Sequence, residues 1–292
     1  MRERWRGLRF GLATVLGLKP LGFFIPHRYA ASAEPRDYPA LQPLFEDAEP
    51  RFREVLAWIE GLAADLRKIG AGPREARFDQ SWFPRLDAVA AYALVRREKP
   101  ARIVEIGSGH STRFLARAVA DAGLSTRITC VDPAPRAAVP DLAVEHLPLL
   151  LKAVDPGLFS GLGPGDVLFI DSSHVAMPGT DVDRLVLDVL PRLPSGVLVH
   201  VHDVTLPFAY PKPWAWRGYN EQIVIGALLQ GGAYELVFAS HYVARSLGPW
   251  PSRGVLASLP LPAGAFEASL WLRKSEGVAA AARARGSGPA PS

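Results

Sequence analysis

The stretch that most limits what this chain can fold into is Val104-Glu105-Ile106-Gly107-Ser108-Gly109-His110-Ser111-Thr112. With Pro100-Ala101-Arg102-Ile103 before it, the opening reads as a short buried strand that breaks into a glycine turn. Arg113 to Ala122 reads as a helix. A strand, a Gly-x-Gly turn and a helix start make a nucleotide-type binding site. The glycines let the backbone pass close to a ligand, and the free amides at the helix start favour electron-rich groups. The full dinucleotide fingerprint G-x-G-x-x-G is not present. Glu105 stands two positions before the first glycine, at the C-terminal end of the strand.

The next strand, Arg127-Ile128-Thr129-Cys130-Val131, ends in Asp132. An acid at this place, about 20 residues after the glycine turn, suits the two hydroxyls of a ribose. Taken singly, Glu105 reads equally well as a solvated strand-end charge, and Asp132 as a cap on the turn into Pro133. Together, at this spacing, they favour a ligand site.

These residues resemble the class I S-adenosylmethionine-dependent methyltransferases, whose first motif is an acidic-x-Gly-x-Gly turn and whose second is a strand-end acid. Asp166-Val167-Leu168-Phe169-Ile170-Asp171 is similar to the family's fourth strand. Gly196 to Asp203 is similar to the fifth, and Tyr234 to Ser240 with Ser269 to Arg273 to the sixth and seventh. Ile106 to Thr112, Phe169 to His174 and His200 to Asp203 look most like a small-molecule subgroup often found beside natural-product or glycan genes. The resemblance covers residues 78–275. It implies an α/β Rossmann-like fold: a seven-stranded, mostly parallel sheet with the seventh strand antiparallel, helices on both faces and an N-terminal helical extension. It also implies S-adenosylmethionine as cofactor, held by Glu105, Gly107, Gly109, Asp132 and Asp171, with Ser111 and Thr112 helping at the helix start. The expected domains are a helical cover over 1–77, the methyltransferase domain over 78–275 and a disordered tail over 276–292.

The chemistry belongs at the C-terminal ends of the strands, where open α/β sheets bind ligands. Three clusters converge there: Asp171-Ser172-Ser173-His174, His200-Val201-His202-Asp203, and His110 in the glycine turn. Strand alternation puts His200 and His202 on one face. A hydroxyl attacks a sulfonium methyl well only when deprotonated, by a general base or by a metal that lowers its pKa. His174, His202 and Asp203 are the catalytic candidates. The metal-dependent O-methyltransferases that this chain resembles place acidic ligands after strands four and five, which makes Asp171, His202 and Asp203 the metal candidates. His202 departs from that pattern and suits zinc, iron or manganese better than magnesium. The plain alternative is that His200 is a satisfied core histidine and Asp203 caps a turn. His-x-His-Asp also occurs in barrel metal hydrolases, but the chain lacks an eightfold repeat and only His241 follows.

The expected reaction is O-methylation of a small molecule or sugar hydroxyl, with N-methylation open. A metal-dependent oxygenase on the same fold and a non-catalytic scaffold are the alternatives. The aromatic loop Leu206 to Gln222 suits a lid, with Trp214, Trp216 and Tyr219 as substrate contacts or packing. Asn220 reads as a helix cap. Trp82 and Phe83 serve as pocket wall or packing.

Nearly half of the 292 residues are apolar, so a large core is affordable, and the net charge is +4. No basic stripe with interleaved aromatics is present, which argues against a nucleic-acid partner. The single cysteine, Cys130, excludes an internal disulfide and reads as a buried thiol in a reducing, cytoplasmic setting. At the N-terminus, Arg2, Arg4, Arg6 and Arg9 precede Phe10 to Leu18. This imitates a signal peptide but is too broken to span a membrane. A helix packed on the domain, or on a partner in a homo-oligomer, is the expectation, with peripheral membrane contact the runner-up. Phe52, Val55, Leu56, Ile59, Leu62, Ala63 and Leu66 give 50–69 a helical apolar face. Pro84 to Arg97 is another helix.

Overall fold

A computed structural model describes residues 2–70, 72, 75–135 and 142–276. Its strands are β1 (Arg102–Ile106), β2 (Arg127–Val131), β3 (Glu145–Leu147), β4 (Val167–Ile170), β5 (Leu198–Val201), β6 (Tyr234–Ala239) and β7 (Leu270–Lys274). They form one seven-stranded sheet in the order β3-β2-β1-β4-β5-β7-β6. β1 pairs in parallel with β2 and β4, β2 with β3, and β4 with β5. β7 runs antiparallel to β5 and β6. The expected sheet is therefore present. The third strand, which no sequence pattern announced, is a short edge piece.

The order explains where ligands go. β1 is flanked by β2 on one side and β4 on the other, so the chain reverses its winding there and opens a crevice at the strands' C-terminal ends. β4 (Val-Leu-Phe-Ile) and β5 (Leu-Val-His-Val) are buried at every position, as strands covered on both faces must be.

The helices are α1 (Arg2–Val15), α2 (Gln42–Asp47), α3 (Glu49–Gly61), α4 (Ala63–Leu66), α5 (Arg85–Glu98), α6 (His110–Asp121), α7 (Gly157–Ser160), α8 (Asp181–Arg184), α9 (Glu221–Gln230), α10 (Ser240–Ser246) and α11 (Gly254–Ser258). The helix expected over 50–69 divides at Leu62 into α3 and α4. It still buries Phe52, Val55, Leu56, Ile59 and Leu66 against the domain. α5 is buried along almost its whole length and packs on α3 and α6, which places its one acidic core residue, Asp87, beneath the site.

Of the two packings expected for α1, on the domain or on a partner, its apolar side does not adopt the first. Phe10, Ala13 and Thr14 are half-buried, while Trp5, Leu8, Leu12 and Val15 are exposed. Among the described residues, no helix is long and apolar enough to cross a membrane. The tail expected to be disordered falls, from residue 277 on, outside the described residues.

Candidate active site

The glycine turn is built on contact between two strand ends. Gly107 has φ +82°, and a Cβ there would lie 2.0 Å from the Asp171 carbonyl oxygen. Only glycine allows both the left-handed backbone and that approach. Asp171 N donates to Ile106 O at 2.8 Å, and Gly107 N donates to Val131 O at 2.9 Å, so the turn is tied to β2 and β4 together. Nothing in the described chain lies within 4 Å of where a Cβ on Gly109 would sit.

Glu105 does not face the crevice. Its side chain is fully buried and accepts hydrogen bonds from Ser111 Oγ (2.6 Å), Thr112 Oγ1 (2.7 Å) and Cys130 Sγ (3.2 Å). Thr112 Oγ1 in turn accepts from Gly109 N at 2.9 Å. Glu105, Ser111 and Thr112 are thus a strut that holds the turn on the helix start. Burial raises the Glu105 carboxyl to about 7, against the lowering pull of those three donors. Burial beside Glu105 pushes the Cys130 thiol far up, which leaves it inert.

A cleft of about 1020 Å³ runs along the ends of β1, β2 and β4, past Gly107, Ser108, Asp132, Asp171 and Asp181. Asp132 is half-buried at its wall. Its carboxylate accepts from Ser108 N (2.8 Å), Ser108 Oγ (3.1 Å) and Ala134 N (2.8 Å). A second, smaller cavity of about 130 Å³ lies on the other side of Asp171. His110, His202, Asp203, Trp214 and Arg217 line it, with Trp82 and Phe83. Ser108 and Asp171 line both cavities.

At that junction two imidazoles and two carboxylates face one another. His174 Nε2 lies 3.2 Å from Asp171 Oδ1 and 3.6 Å from Asp203 Oδ2. His202 Nδ1 lies 3.5 Å from Asp171 Oδ1 and 3.6 Å from Asp203 Oδ1. Behind each ring stands another buried acid: Glu221 Oε2 is 2.9 Å from His174 Nδ1, and Asp87 Oδ2 is 3.3 Å from His202 Nε2. Arg217 donates to Asp203 Oδ2 at 3.2 Å. His174 and Asp203 both hold left-handed backbone, φ +61° and +52°, which non-glycine residues adopt at a cost.

Electrostatics follows from this packing. Burial would strip both imidazoles of their protons, but the surrounding carboxylates win. His174 rises to about 10, through Asp171 and Glu221 above all, and His202 rises well above its ordinary value, through Asp171 and Asp203. Burial opposes ionisation of Asp171, but His202 and His174 outweigh it and hold the carboxyl well below its usual range. His110 goes the other way. Burial and then Arg113 depress it to about 4, so its ring is neutral.

The structure thus brings His174, His202, Asp171 and Asp203 together, as their motifs suggest. It removes His200 from the site: that ring is fully buried, stacks on Phe169 at 3.7 Å and shares a hydrogen bond with Ser269 Oγ at 2.8 Å. Asn220 does not cap α9 with its side chain. Its Oδ1 instead accepts from Ala176 N at 2.6 Å, tying the loop after β4 to the aromatic loop. Sequence reasoning missed Asp87, Glu221 and Arg217. The signal for Asp87 was a lone carboxylate inside the apolar run Leu86 to Val95; for the other two there was none beyond proximity to the lid. Among the described residues, no group of three or more histidine, cysteine, aspartate or glutamate side chains is placed to hold a metal ion as found; the four at the junction satisfy one another.

A family model described as a methyltransferase domain matches residues 104–204, from within β1 to just past β5. The matched stretch and the sheet order together make this part of the chain similar to a methyltransferase domain. Among solved structures, the chain is similar to a Podospora anserina methyltransferase determined with SAH bound, at 16% identity over 87% of this chain and 100% of that one, with a TM-score of 0.41. It is also similar to an O-methyltransferase from Bacillus cereus in complex with SAH, at 16% identity over 76% of this chain and 91% of that one, with a TM-score of 0.39. A search of curated proteins gave no match.

Proposed function

We propose that this protein moves the methyl group of S-adenosylmethionine onto a hydroxyl oxygen of a small molecule. The observation that carries the reading is the meeting of a large cleft and a small polar pocket at Ser108 and Asp171. What supports the cofactor there is a volume that suits a nucleoside-sized ligand, the close backbone at Gly107, and Asp132 on the cleft wall, whose carboxylate would meet the ribose hydroxyls. When bound there, the cofactor supplies a methyl group on a positively charged sulfur. The small pocket then takes the acceptor hydroxyl, with Trp214 and Phe83 as walls.

Asp203 is the proton acceptor in this reading. It lines the acceptor pocket, and Arg217, His174 and His202 hold its carboxylate. The two rings, kept protonated by their neighbours, orient the carboxylates rather than act as free bases. The aromatic loop covers the pocket, residues 1–77 form an added cover, and a small-molecule acceptor in a reducing cytoplasm completes the picture.

One arrangement favours a second reading, in which a divalent metal assists. Each ring nitrogen facing Asp171 and Asp203 is backed by a carboxylate on the other nitrogen, which is how metal-binding histidines are held. Asp171, His202 and Asp203 would hold the ion, with His174 beside them. Their nitrogen and oxygen donors suit zinc, manganese or iron, which would acidify a bound hydroxyl.

Calorimetric titration with S-adenosylmethionine and S-adenosylhomocysteine tests the cofactor. Micromolar binding that Asp132→Ala weakens by about tenfold or more supports it. No binding by the wild-type chain overturns it.

A further inference from the structure

We propose that residues 5–29 dock this protein on an anionic lipid surface, lying in the plane of the interface. The first observation is where the apolar side chains point. At 100° per residue, Trp5, Leu8, Leu12, Val15 and Leu16 fall within an arc of roughly 100° on or just beyond α1. All five are exposed, Trp5 at 68%. The opposite side, with Phe10, Ala13 and Thr14, is the one that turns inward, and α1 lies against the 212–217 turn. The apolar band continues through Leu18, Phe23, Phe24, Ile25 and Tyr29, all exposed. A soluble surface of this size with so many large apolar groups needs a partner.

The second observation is charge, and it selects the partner. Six lysines and arginines against one glutamate give the first 29 residues a charge of +5. The remaining 263 residues, with 27 basic and 28 acidic side chains, carry −1. The whole positive balance of the chain therefore sits on the segment that carries the exposed apolar band. Arg6, Arg9, Lys19 and Arg28 are all exposed beside it. Apolar insertion with basic flanks is the chemistry of interfacial attachment to anionic lipid. A symmetric second copy would set one basic segment against another. A membrane-spanning role is closed to the helices of the described residues.

The band also reaches the functional site. Phe23 lines the rim of the large cleft together with exposed Leu150 and Leu187. Docking through residues 5–29 thus brings the mouth of that cleft toward the lipid.

Co-sedimentation of the full chain with vesicles tests the proposal. Vesicles of phosphatidylglycerol with phosphatidylcholine are compared with phosphatidylcholine alone. We expect binding to the first at least about tenfold stronger than to the second, weakened by salt. Arg6→Glu with Arg9→Glu lowers it by about tenfold or more. Leu8→Asp with Leu12→Asp removes it, and because these side chains are exposed, thermal melting stays that of the wild type. Absence of binding to anionic vesicles, or binding indifferent to both pairs of substitutions, overturns the proposal. So does a dimer in sedimentation velocity that Leu8→Asp with Leu12→Asp dissociates while vesicles capture nothing. Vesicle binding needs neither cofactor nor turnover, so it stands or falls apart from the methyl-transfer reading.

Discussion

Gly107 and Asp171 meet so closely that a single methyl group on Gly107 would overlap the Asp171 carbonyl, at 2.0 Å. The ends of β1 and β4 are therefore locked through one position with no side chain. Gly107→Ala should cost about 1–3 kcal/mol from its left-handed backbone alone, and more from the displaced strand end. Urea unfolding measures the loss. Calorimetry should show cofactor binding falling with it, because the same carbonyl neighbours both cavities.

Glu105 gives a pH signature. Its folded value of about 7 lies above the ordinary 4.5, so folding holds the proton more tightly. That contribution is complete below pH 4.5 and is lost as pH rises through about 7. Glu105→Gln cannot ionise. The stability of the wild type relative to this variant should fall by at most about 3 kcal/mol between acid and mildly alkaline pH. Urea titrations of both proteins at the two ends decide it; a difference that does not change with pH sinks the assignment.

Arg85 Nε donates to Glu267 Oε1 at 3.0 Å, and the backbone of Leu86 donates to the same oxygen at 2.9 Å. Both side chains are almost fully buried. This joins α5 to the segment before β7 that carries Phe266 into the acceptor pocket. Glu267→Gln removes the carboxylate facing a buried guanidinium and should destabilise by about 3–5 kcal/mol. Chemical denaturation reads it directly, and a loss below 1 kcal/mol or so would show the pair to be solvated.

Asp203→Asn separates chemistry from folding. Asparagine tolerates the left-handed backbone at this position, so the fold should hold. Methyl transfer from labelled cofactor should drop by about a hundredfold or more, with cofactor affinity within about threefold of the wild type. Unchanged turnover would remove Asp203 from the role of proton acceptor.

Chelation distinguishes the two readings of the junction. With the carboxylate as proton acceptor, turnover should survive removal of divalent ions. Loss of turnover that manganese or zinc restores would move Asp171, His202 and Asp203 to metal ligation.

Much of the site was legible because it is local. The glycine turn, Asp132 at the end of β2 and the motifs after β4 and β5 lie on consecutive residues whose spacing carries the geometry. Asp87 and Glu221 were not legible, because each reaches its histidine from a different helix, 115 residues from His202 and 47 from His174. Glu105 looked the same in sequence whether it faced ligand or core; only the closing of Ser111 and Thr112 over it decided that it faces inward.

The sequence by itself determined the glycine turn after β1 and the acids that end β2, β4 and β5, because hydrophobic period and glycine positions act over a few residues; the winding reversal beside β1 pairs strands more than 60 residues apart and is a tertiary outcome. Tertiary structure decided the rest. It put His200 in the core and His202 at the junction, two residues apart on one strand, because Phe169, Trp271 and Ser269 close around the first ring while Asp87, Asp171 and Asp203 surround the second. It also left the apolar side of α1 facing out. Periodicity can show that a helix has such a side, but what covers it depends on the surfaces that the rest of the chain has left to offer.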